Sequence, residues 1–182
     1  MKIQFLGLLV SLIATAANSG QVNEFMTAKE QAIHGDARAE YELGRRYEFG
    51  DGVNADAGKA VTWYRKAAEH EMAQAQYSLA RMYMAGDRVA QNNKQAVKWL
   101  RRAAAHDYVL AKNRLGIMYE RGLGVAKDEV EAYKWYILAA EGKNIAGIAN
   151  RDKLAARLTR IQIAEAERKA ATNPTEALVT DR

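Results

Sequence analysis

Apolar residues recur along most of this chain at steps of three and four, the spacing of one face of an α-helix. One such segment places Ala39, Leu43 and Tyr47 on a common face and predicts a helix over roughly 36–49. A second, with Ala60, Trp63, Tyr64, Ala67 and Ala68, makes a stripe wide enough to face a core. The same pair of segments then returns twice in a fixed register. The chain's three tryptophans, Trp63, Trp99 and Trp135, lie 36 residues apart, and Tyr47, Tyr83 and Tyr119 keep the same step. So do Ala60, Ala96 and Ala132, the pairs Ala67-Ala68, Ala103-Ala104 and Ala139-Ala140, and Val53, Val89 and Val125. Self-similarity at this period marks a repeat architecture in which each unit buries its apolar face against its neighbours.

The polar positions punctuate each unit. Gly50, Gly86 and Gly122 stand where the first helix should stop, the place that favours a left-handed residue. Asp56, Asn92 and Asp128 open the second helix as N-caps, and Gln95 and Glu131, three residues on, complete capping boxes in units two and three. Unit one has Lys59 there and lacks the box. Small residues inside the first helix, Gly44, Ala80 and Gly116, predict close approach by a neighbouring helix, because glycine there otherwise costs about 0.5–1 kcal/mol. Ahead of the units, 23–34 reads as a half unit with Ala28, Ala32 and Ile33 available as cover. Behind them Ile145, Ile148, Leu154 and Leu158 predict a closing helix, and Thr159 with Gln162 opens a last one through about Ala171.

The run Ala39-x-Tyr41-x-Leu43-Gly44-x-x-Tyr47-x-x-Gly50-x-Gly52-Val53, followed by Ala60-x-x-Trp63-Tyr64-x-x-Ala67-Ala68, resembles the Sel-one-like repeat, a branch of the tetratricopeptide-like α-solenoids. The resemblance implies an all-α, α/α solenoid of helical hairpins, with repeats at 36–71, 72–107 and 108–143. A capping helix over 20–35, closing helices over 144–171 and a flexible tail over 172–182 complete the expected organisation. It also implies an adaptor that binds another protein. One departure stands out: where the family carries glycine between units, Gly35 conforms but Glu71 and Asp107 do not, which predicts strained or differently closed turns.

Residues 1–19 stand outside this pattern. Met1-Lys2, an apolar run from Ile3 to Ala14 and small residues through Ser19 read as a secretory signal peptide, with cleavage after Ala16 or after Ser19. The alternative is an uncleaved N-terminal anchor. This predicts export, in a bacterium to the periplasm, with no stable membrane insertion after cleavage. The chain has no cysteine, so disulfides, thiolate metal sites and cysteine nucleophiles are excluded. The formal charge of +5 is spread among interleaved acids and bases, which argues against a nucleic-acid partner.

Candidate chemistry is sparse, and the reading is of no catalytic residue, metal or cofactor. His34, His70 and His106 share the 36-residue step, but packed helices lie about 8–10 Å apart, too far for one ion to reach two imidazoles. Gly50-Asp51-Gly52 and Gly122-Leu123-Gly124 follow no strand and continue into no phosphate-binding motif. Past the signal region Ser78 is the only serine, and Leu79-Ala80-Arg81 after it breaks a serine–lysine β-lactamase motif. Glu129 and Glu131, two apart, diverge on a helix.

What remains is the inner face of the first helices. Its expected lining is Arg38, Glu42, Arg45 and Arg46, then Gln74, Ser78, Arg81 and Met82, then Leu110, Arg114, Ile117 and Met118. This row runs from charged to apolar, with Met82, Ile117 and Met118 expected to be exposed, and suits a peptide or partner helix. The functional expectation is a non-catalytic periplasmic adaptor or regulatory subunit of an envelope assembly. The alternatives are an inhibitor or immunity protein against a secreted toxin, and a cell-wall or β-lactam-related enzyme.

Overall fold

A computed structural model describes residues 20, 23–86 and 89–172. The expected signal peptide and the tail beyond Thr172 lie outside the described residues. Helix α1 covers 23–33. After it come α2 (Ala37–Phe49), α3 (Ala57–Glu69), α4 (Ala73–Ala85), α5 (Asn93–Ala105), α6 (Val109–Arg121), α7 (Glu129–Glu141), α8 (Ile145–Ala155) and α9 (Arg160–Ala171). There is no strand among the described residues, and the fold is an all-α repeat solenoid. The chain divides into two compact units after His70.

In the first unit Asp36 caps α2, its carboxylate accepting from the Ala39 amide at 2.7 Å. The helix ends at Gly50, whose φ of 78° is the left-handed value expected there. Asp56 caps α3 in the same way, accepting from Lys59 at 3.0 Å, while its own amide donates to the Tyr47 carbonyl at 2.7 Å and closes the loop. Gly44 is needed because Tyr64 of α3 lies flat on it: a Cβ there would stand 2.5 Å from the ring. The Tyr64 hydroxyl then donates to Glu48 at 2.7 Å. Helix α1 covers α2 through Phe25, which meets Tyr47 edge-on at 5.7 Å, together with buried Ala28 and Ala32. Ile33, expected in that cover, is 64% exposed instead.

The second unit repeats the plan. Helix α4 packs on α5, α5 on α6, α6 on α7, and α7 on both α8 and α9. Gly86 and Gly122 are left-handed, with φ of 67° and 68°. The Asn92 and Asp128 amides donate to Tyr83 and Tyr119 carbonyls at 2.9 and 3.0 Å, as Asp56 does to Tyr47. Gln95 and Glu131 give only their backbone half to the expected boxes, and the Glu131 carboxylate turns to Lys134. Both halves do close at α9, where Thr159 and Gln162 bond reciprocally at 2.9 and 3.3 Å. Gly116 meets Tyr136 as Gly44 meets Tyr64, with a Cβ only 2.4 Å from the ring, and the Tyr136 hydroxyl donates to Glu120 at 2.7 Å. In the middle repeat the equivalent residues are Ala80, Leu100 and Met84; Ala80 and Leu100 are fully buried.

Two expectations about the core are corrected. Trp99 and Trp135 are buried, but Trp63 is only half-buried, with the Lys66 ammonium 4.3 Å over its ring. Of the apolar residues expected to close the array, Leu154 is buried against Tyr133, Tyr136 and Ala166, whereas Ile145 is 84% exposed and Ile148 also faces solvent.

Candidate protein-binding face

Three buried polar side chains, Glu40, Gln76 and Lys112, find their partners at the inter-repeat turns. Glu71, Asp107 and Lys143 adopt φ of 59°, 57° and 59°, the conformation Gly35 takes at 83°. For residues other than glycine that conformation costs about 1–2 kcal/mol. At two of the turns the side chain offsets it by satisfying a buried polar partner five residues later. Glu71 accepts from Gln76 Nε2 at 3.2 Å, and Asp107 from Lys112 Nζ at 2.7 Å. Gly35 has no side chain to offer, and there buried Glu40 reaches the next turn itself, accepting from His70 Nδ1 at 3.0 Å. Glu71 also accepts from Arg102 Nη2 at 2.7 Å and from His106 Nε2 at 2.8 Å. Burial pushes its carboxyl up, but the His106, Arg102 and Gln76 donors outweigh this and hold it below its ordinary value. His70 and His106 thus serve turns rather than one common centre. Among the described residues no group of three or more metal-type side chains comes together.

The predicted binding row is only partly a surface. In the first unit Arg38 and Arg45 are exposed and Glu42 half-buried, but Arg46 is buried. Its guanidinium is ringed by Glu24 at 3.2 Å, Glu42 at 3.4 Å and Asp51 at 3.8 Å. In the second unit Gln74 and Arg114 are exposed, Arg81 and Ile117 half-buried, and Ser78 buried. Met82 and Met118, expected to be exposed, are 6% and 2% accessible. Helical geometry accounts for this: a step of seven from Ala39, Ala75 or Ala111 returns to the core face, and it lands on Arg46, Met82 and Met118. Ile117 packs beside the cluster of Tyr133, Tyr136 and Leu154.

The surface that remains in the second unit centres on α6. Leu110, Arg114, Ile117 and Arg121 lie three and four apart and share one face, with Leu110 44% exposed and both arginines exposed. Helix α8 is tied beside it by Asn150 Nδ2, which donates to Asn113 Oδ1 at 2.9 Å, and presents exposed Ala146, Ala149 and Lys153. The role of Leu110 and the buried polar residues Glu40, Gln76 and Lys112 was accessible from sequence only through the 36-residue step. Gln76 and Lys112 pair with the turn residue that ends the preceding repeat, and Glu40 with His70 near the end of its own.

Comparison with known proteins agrees with this architecture. The Sel1 repeat family model matches residues 37–71, 73–108 and 109–144. No curated protein is detectably similar to the chain. Among solved structures, a Sel1 repeat protein from Oxalobacter formigenes is 38% identical, with a TM-score of 0.66, over 71% of this chain and 98% of that one. A protective antigen of uropathogenic Escherichia coli with an SLR fold is 24% identical, with a TM-score of 0.53, over 87% of this chain and 43% of that one. Helicobacter pylori cysteine rich protein B is 19% identical, with a TM-score of 0.55, over 69% of this chain and 95% of that one. The last two likenesses concern the fold alone. Sel1 repeats generally mediate protein–protein interaction and are generally non-catalytic scaffolds. With three matched repeats covering more than half of its length, the chain belongs to the Sel1 repeat family.

Proposed function

We propose that this protein is an exported, non-catalytic adaptor that holds a protein partner on the first-helix faces of its repeats, in the bacterial periplasm. The observation that supports this most is the division of labour within those helices. Ala39, Leu43, Ala75, Leu79, Ala111 and Leu115 are buried and fix the hairpins, while Arg38, Arg45, Gln74, Leu110 and Arg114 stay accessible, Arg45 pairing with Glu42 of its own helix. A residue that does not stabilise the fold and is presented on a rigid helix is available for recognition. Export rests on the residues 1–19 pattern alone.

A photo-crosslinking residue placed in turn at Gln74, Leu110 and Arg114 tests the reading in cells, with exposed Lys98 of α5 as the control position. One protein captured from the first set and not from Lys98, and rebinding when purified, is the expected result. Equal capture from all positions, or none from any, would sink it. N-terminal sequencing of the mature protein tests export separately, with a start at Ala17 or Gly20 expected.

A further inference from the structure

The α6 face carries a seven-residue period of two kinds of side chain. Arg114 and Arg121 are seven apart, and so are Leu110 and Ile117, so aliphatic and cationic groups alternate along one stripe. Seven residues is the period at which a second helix, packed lengthwise, returns the same side chains to the same line. The charge of this stripe is only partly balanced at home, where Lys153 adds to the field that lowers the Glu120 carboxyl. Helix α4 has no acidic residue, and the single carboxylates of α6 and α8 are already engaged. Glu120 accepts from Tyr136 and Arg157, and Asp152 accepts from Arg151 at 2.7 and 2.8 Å. Arg114, Arg121 and Lys153 have no ion pair among the described residues. The neighbouring Ala146 and Ala149 are exposed and too small to fill the space above α8.

We propose that this face docks an amphipathic helix of the partner that carries carboxylates and aliphatic side chains at alternating steps of three and four. The aliphatic groups would cover Leu110 and the alanines of α8, and the carboxylates would meet Arg114, Arg121 and Lys153. Exposed cations of this kind set orientation and encounter more than raw affinity, so binding weakens as salt rises. The proposal rests on the protein-binding reading and specifies its partner's chemistry.

The probe is a fluorescein-labelled, alanine-rich peptide of about three heptads, with one leucine and one glutamate three positions apart in each. Its titration against the full chain is read by anisotropy. Binding that falls with salt is expected, with none for the same peptide carrying lysine in place of glutamate and none for a version broken by a central proline. Arg114→Glu with Arg121→Glu should weaken the glutamate peptide by about tenfold or more and bring in the lysine peptide. Lys94→Glu with Lys98→Glu, the same charge change on α5, should leave both nearly unchanged. No binding, equal binding of the two peptides, equal loss in the α5 variant, or equal displacement by single-stranded oligothymidylate would overturn it. If crosslinking from Leu110 captures a protein while the peptide fails, the acidic-helix inference falls and the adaptor reading stands. If crosslinking also fails, both fall.

Discussion

Two glycines in the middle of helices show how much a single side chain can demand of this fold. At Gly116 the ring of Tyr136 occupies the space a Cβ would need, at 2.4 Å, and both atoms belong to a fully packed core. Gly116→Ala should therefore destabilise, because overpacking costs typically about 1–3 kcal/mol and exceeds the roughly 0.5–1 kcal/mol that alanine gains in a helix. The middle repeat indicates the remedy, since it pairs Ala80 with Leu100 where its neighbours pair glycine with tyrosine. In a Tyr136→Leu background the same Gly116→Ala change should become neutral or stabilising. Urea unfolding of the four proteins of this cycle measures the coupling. An equal loss in both backgrounds would show that the glycine serves something other than the ring.

At the level of elements, helix ends were the most legible part of the sequence, because caps are local chemistry. Asp56, Asn92, Asp128 and Thr159 each accept from the amide three residues on, as their types and spacing indicated. The helix faces were less legible where burial depends on distant partners. Arg46 is tolerable inside because Glu24, 22 residues earlier on α1, joins Glu42 and Asp51 around its guanidinium. Ile145 and Ile148 read as core and are not, since α8 meets α7 through Leu154 and Gly147 rather than through its isoleucines. The last helix offers a direct measure of what a cap contributes. Helix α9 meets α7 through Ile163 and Ala166, and both halves of its capping box are closed. Thr159→Ala should cost about 0.5–2 kcal/mol locally. Hydrogen exchange should quicken over 160–171 and stay unchanged in α4 and α5. Uniform quickening throughout the second unit would mean that α9 has no independent local opening.

Across the whole molecule, two carboxylates of the second unit are favoured in their ionised form by the fold. Burial pushes Glu71 and Glu120 up, but donors at each site outweigh it: His106, Arg102 and Gln76 for Glu71, and Tyr136 and Arg157 for Glu120. Both are held below the ordinary value of 4.5. A carboxyl depressed in the folded state binds protons more readily when unfolded, so its contribution is complete above that ordinary value and is lost as pH falls below it. The same residues close the turn into α4 and the Tyr136 contact on α6, so protonation removes support from the start and the middle of the unit. Glu71→Gln with Glu120→Gln should therefore be less stable than the parent at neutral pH, and thermal unfolding should show the difference shrinking as pH drops below 4.5. The glutamine at 120 can still accept from Tyr136, so the shrinking part reports the charge rather than the hydrogen bond. A gap that stays constant down through that range would show that the two carboxylates act by shape alone, and that the acid sensitivity of the unit arises elsewhere.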